Sequence, residues 1–139
     1  MKKKQEEPTI EITKNFVKEK FKEYNELYFN GELKMPKITL IDGRKYAGTF
    51  TCRHNKTTGT IYQQEIGIAE NIIWNINTFK ETLIHEMIHY YVNTKDTNPL
   101  SGDFQHCGLF WRMKVKLNWK YGLHIKNRYT QLKLKNESK

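Results

Sequence analysis

The chain has 139 residues, 37% hydrophobic and 28% charged, with a formal net charge of +9, which fits one folded domain with its own core rather than a disordered segment. Its two cysteines, Cys52 and Cys107, form no CxxC pair, which excludes a zinc ribbon or a disulfide framework built from them. No run approaches the roughly 20 apolar residues of a membrane span, and the opening "MKKKQEEPTI" lacks the apolar stretch of a signal peptide, so a cytoplasmic chain with no membrane partner is expected.

Residues 1–11 read as a flexible, polar and basic arm. From Thr13, a residue type suited to an N-cap, apolar side chains recur at Phe16/Val17, Phe21, Tyr24 and Leu27/Tyr28, which is the spacing of an amphipathic helix. Asn30-Gly31 stops that helix and Pro36 keeps the connection extended. "KITLID" then predicts a strand. Two more strands are expected in "YAGTFTC" and "GTIYQQEIGIAE", separated by the polar turn "RHNKTTG", and "IYQQEIGIAE" could serve as an edge strand that pairs with an extended peptide. A long helix is predicted from about Asn77 through "NTFKETLIHEMIHYYVNT", then a loop, "KDTNPLSGDFQ". A third helix should run from near His106 to Gly122, and the remaining "LHIKNRYTQLKLKNESK" reads either as a short strand pair or as an arm lying on the surface. Two or three helices with a small mixed or antiparallel sheet in one layered core make an α+β class. The expected division is an arm over 1–11, a domain over 12–125 and a basic tail over 126–139.

The long helix contains His85-Glu86-Met87-Ile88-His89. Positions i and i+4 share a helical face, so both imidazoles can address one ion, and Glu86 stands close enough to reach a water without being a ligand. Zinc suits imidazole, and catalytic zinc usually takes three protein ligands. The rival is a surface helix that merely carries histidines. Periodicity opposes it: Leu83, Met87 and Tyr90 form one apolar stripe and Ile84, Ile88 and Tyr91 another, so the helix must be buried. Buried His and Glu need partners, and one zinc ion supplies them. Asp103, His106 and Cys107 are the candidates for a third ligand. His106 is favoured because it shares a face with Phe110, Met113 and Leu117, which should turn inward. His54 and His124 have no partner pattern and read as ordinary histidines.

Charge placement carries a second signal. Residues 112–139 hold nine basic side chains against one acid, Glu137, which points to a polyanionic partner, most often nucleic acid. Arg112, Lys116 and Lys120 form an i, i+4 ridge on the third helix, and Lys126, Arg128, Lys133 and Lys135 continue the charge into the tail. Trp119 lies among these cations, but core packing is the expectation for its ring.

"HEMIHYY", a loop, and then "HCGLFWRM" resemble the SprT-like metalloproteases. "YNELYFNGELKMPKITL" is similar to that family's helix, turn and first strand. Together these matches cover roughly residues 12–120. Cys107 stands where the family usually has glycine, and no cysteine follows it to form the zinc ribbon of many bacterial members. The resemblance implies a zincin-like α+β fold and one zinc ion held by His85, His89 and His106. It also implies Glu86 as general base, and peptide-bond hydrolysis in DNA-associated or DNA-crosslinked proteins. The expected protein is a cytoplasmic monomer, associated with the nucleoid through DNA. Two other readings compete with it. One is a nucleic-acid-binding module with a structural zinc, which would need no Glu86. The other is an HExxH peptidase of another zincin branch acting on a repressor.

Overall fold

The computed structural model describes residues 9–44, 46–54, 57–58, 61–95 and 108–125. Helix α1, Lys14–Tyr28, starts where Thr13 accepts a hydrogen bond from the Phe16 amide at 3.1 Å, which satisfies one of the first-turn amides. Val17, Phe21 and Tyr24 form its buried face. The chain leaves α1 through Asn30 (φ 55°) and Gly31 (φ 68°), two successive left-handed positions that asparagine and glycine tolerate best. Asn25 fastens the exit, donating to the Leu33 carbonyl at 2.8 Å and accepting from the Leu33 amide at 3.1 Å.

Strands β1 (Lys37–Ile41), β2 (Gly48–His54) and β3 (Ile61–Ala69) form one mixed sheet in the order β1-β3-β2. β1 runs parallel to β3, and β2 antiparallel. The register places Ile38 and Phe50 either side of Ile66 on the inner face. The outer face carries polar residues such as Lys37 and Glu65, ion-paired at 3.7 Å. Between Thr51 and Arg53 the pairing with β3 slips by one residue, and Gln63 opposite takes φ 55°, a bulge that kinks and twists the sheet there.

Helix α2, Ile76–Lys95, begins one residue before the predicted start. Asn75 and Thr78 cap it reciprocally: the Thr78 amide donates to Asn75 Oδ1 at 2.8 Å and the Asn75 amide to Thr78 Oγ1 at 3.2 Å. α2 packs on β2 and β3, on α1, and on α3 (Gly108–Tyr121). Phe79, Leu83, Ile84, Met87 and Ile88 are fully buried, so the helix is enclosed nearly all round, as its two apolar stripes require. Tyr90 stacks between Phe50 (5.6 Å) and Phe21 (6.5 Å), tying α2 to β2 and α1. Ahead of α1, the Ile10 amide bonds the Trp74 carbonyl at 3.0 Å, so Ile10, placed by its sequence context in the arm, lies against the domain. At the far end Asn118 holds Ile125 by its amide and carbonyl, as Asn25 holds Leu33. The result is the expected α+β arrangement, with the HExxH helix packed against a three-stranded mixed sheet. Among the described residues no helix is long and apolar enough to cross a membrane.

Candidate metal centre

α2 carries a set of polar side chains inside the protein. His85, Glu86 and His89 are 5%, 5% and 8% exposed, on a helix whose other central residues are apolar. One helical turn separates the two histidines and brings their Nε2 atoms to 3.2 Å, with the rings nearly perpendicular. Glu86 Oε2 lies 3.9 Å from His85 Nε2. One ligand atom from each of the three residues falls within 4.8 Å of the others, so the group can hold a metal ion. The spacing passes a further test. Two nitrogens each about 2.0–2.1 Å from one tetrahedral ion stand about 3.3 Å apart, close to the distance between these rings.

Glu86 points towards the sheet. A Cβ on Gly48 would lie 3.2 Å from both Cγ and Oε2 of Glu86, and 3.0 Å from Cγ2 of Thr82. Glycine at the start of β2 therefore lets the strand backbone come down onto the carboxylate. Burial pushes the Glu86 carboxyl from its ordinary 4.5 up to about 8. A cation beside it would draw that value down again.

Sequence spacing missed three residues here. Thr82, one turn before the motif, and Asn93, one turn after it, are buried, and Thr82 Oγ1 has no hydrogen-bond partner among the described residues. With His85, Glu86 and His89 they make a polar seam along an apolar helix. The i, i+3/i+4, i+7, i+11 spacing of Thr82, His85/Glu86, His89 and Asn93 was the available signal. Gly48 had none, since its approach to Glu86 joins distant parts of the chain.

The remaining candidates divide. Asp103, His106 and Cys107 lie outside the described residues, as do Lys126, Arg128, Lys133 and Lys135. Leu117 is buried and Met113 packs against the core, so α3 turns inward the face on which His106 was expected. Arg112, Lys116 and Lys120 are exposed on α3, as the ridge predicted, and His124 is exposed too. Two expectations fail. "IYQQEIGIAE", a candidate edge for pairing with an extended peptide, is the central strand β3 with both sides bonded; β2 is an edge instead. Trp119, expected to pack inside, is 87% exposed, because it stands on the side of α3 away from Leu117.

A comparison with curated protein sequences returned no match. The SprT-like family profile matches residues 17–129, from the first helix past the third. That span includes the His85-Glu86-His89 group, and the two together fit a zincin-like metallopeptidase. By a match over most of its length, the chain belongs to the SprT-like family.

Proposed function

We propose that this protein is a zinc-dependent peptidase that cleaves proteins held on nucleic acid. The observation that carries the reading is the buried convergence of two imidazole nitrogens, 3.2 Å apart, beside a carboxylate that burial alone holds near neutral titration. A structural zinc site has no use for that carboxylate, which sets the binding-module reading aside. In the proposed site His85, His89 and His106 hold the ion, the last by family resemblance and by the inward face of α3. Zinc in such a site supplies Lewis acidity, lowering the pKa of water from about 15.7 towards 7 and polarising a carbonyl.

The chain's own residues do the rest. Glu86 takes the proton of the attacking water at its carboxylate and delivers it to the departing amine. Burial raises its affinity for the proton that it takes, and a cation beside it would lower that affinity again, so that the proton can be passed on. An extended substrate would lie along the edge strand β2, paired through the backbone, with Gly48 bringing that edge against Glu86. The concentration of cations after residue 111 supports a polyanionic partner that carries the substrate protein.

The test is metal analysis of the purified protein with cleavage of casein and histone, with and without single-stranded DNA. One equivalent of zinc, lost in His106→Ala but kept in Cys107→Ala, with cleavage abolished by chelation, is expected. Full zinc occupancy in His106→Ala would remove that ligand, and a zinc-loaded protein that cleaves neither substrate under any condition would overturn the peptidase reading.

A further inference from the structure

α3 exposes a row of side chains that a hydrated surface does not require. Trp111, Val115 and Trp119 recur at i, i+4 and i+8 and are 57%, 40% and 87% exposed. At about 100° per residue, Val115 stands roughly 160° around the helix from Leu117, which is buried in the core. The row is therefore the outermost face of α3, not a frayed margin of the core. Contiguous exposed apolar side chains of this size mark an interaction surface. Directly beside them run Arg112, Lys116 and Lys120, all exposed at the same spacing. The chain has no acidic residue between Asp103 and Glu137, so none on α3 offsets these cations.

We propose that this face is a stacking platform for single-stranded nucleic acid. Trp111 and Trp119 offer their indole faces to unpaired bases, and Arg112, Lys116 and Lys120 lie along the phosphates. The two indoles sit about 12 Å apart along the axis, far enough to engage separate bases of one strand. In a duplex the base faces are already stacked, so the platform favours single strands while the cations serve either form. Two other occupants fit less well. An interfacial helix buries a broad aliphatic face in lipid, whereas Leu117 and Met113 of α3 face the core. A second copy of the chain would set the cation rows of two α3 helices against each other. The inference locates the nucleic-acid interface in the folded domain, beyond the charged tail, and does not depend on peptidase activity.

The test uses the full-length protein with a labelled twelve-nucleotide oligothymidylate and a twelve-base-pair duplex, followed by anisotropy across a salt series. In the Trp111→Ala/Trp119→Ala double variant, single-strand affinity should fall at least tenfold and duplex affinity less than twofold. The salt slope should not change, because no cation has been removed. The Trp111→Phe/Trp119→Phe variant should recover to within about threefold of the parent, since phenylalanine also stacks; thermal melts of both variants report folding. Undiminished single-strand binding by the alanine variant overturns the proposal. So does a result in which that variant loses only binding to phosphatidylserine–phosphatidylcholine vesicles, or only a concentration-dependent self-association. Deletion of residues 126–139 separates the platform from the tail, since it should lower the salt slope and leave the preference for single strands intact.

Discussion

Glu86 sits where a carboxylate is least comfortable, and that position has two measurable effects. Glu86→Gln keeps the shape and hydrogen-bonding reach of the side chain but cannot move a proton. Zinc content should stay near wild type while turnover falls on the order of 10²–10⁴-fold. The second effect belongs to the metal-free protein. With a folded pKa of about 8 against an ordinary 4.5, the folded chain keeps a proton that the unfolded chain has released. Stability should therefore fall as pH rises through that window and level off above it. Glu86→Gln removes the dependence. Urea titrations of the metal-free proteins should show the variant matching wild type near pH 4 and exceeding it at pH 8. The gap should reach a few kcal/mol, at about 1.4 kcal/mol for each tenfold change in proton affinity. Gly48 offers a steric counterpart. A methyl group there meets Glu86 and Thr82 at 3.0–3.2 Å, so Gly48→Ala should cost roughly 1–3 kcal/mol by overpacking and depress turnover more than metal content. His85, Glu86 and His89 could be read from the chain because an i, i+4 pair is a local pattern. Gly48 could not, because its role depends on β2 lying over α2.

The helices and strands are legible in the order of residues, and their neighbours in the sheet are less so. Thr13, Asn30-Gly31 and Gly122 mark helix ends because caps and left-handed turns have specific residue requirements. Alternation predicts that a segment is a strand without saying which strand it pairs with. Ile66-Gly67-Ile68-Ala69 did carry the answer. All four are buried, and a continuous apolar run is the mark of a strand flanked on both sides rather than an edge. Trp119 misled for the opposite reason: a large aromatic suggests a core, and only the rotation of α3 about Leu117 shows otherwise. Among the connections, the paired bonds of Asn25 to Leu33 set how α1 delivers the chain to β1. Asn25→Ala leaves the buried Leu33 amide and carbonyl without those partners. It should destabilise the protein by about 1–3 kcal/mol in urea unfolding, with no change in the stoichiometry of metal binding.

At the scale of the whole molecule, charge and chemistry occupy different parts of the chain. The polar seam of α2 lies in the core, whereas the cations gather from Arg112 onward. If the proposed reading holds, this separation makes the two functions independently removable. Deleting residues 126–139 takes away Lys126, Arg128, Lys133, Lys135 and Lys139 and leaves His85, Glu86 and His89 in place. DNA affinity should drop and its salt dependence become shallower, by about 0.9 log units per log unit of salt for each duplex phosphate that the tail no longer neutralises. Cleavage of a small unfolded substrate should persist. An unchanged slope would show that the tail serves solubility alone.

The enclosure of the seam within α2 also bears on how long the protein lasts in a cell. Two imidazoles and a carboxyl group are costly to bury in the middle of α2, and an ion that binds only the folded chain stabilises it by mass action. At a free zinc concentration one hundred times the dissociation constant, the gain is about 2.7 kcal/mol, a sizeable share of an ordinary domain's stability. Chelation should therefore lower the melting temperature of wild type by several degrees, and that of a His85→Ala/His89→Ala variant hardly at all. In a living cell the same linkage would make turnover by housekeeping proteases follow zinc supply. Scarcity would then clear the inactive protein as well as silence it, and the steady-state amount of this chain would serve as a gauge of available metal.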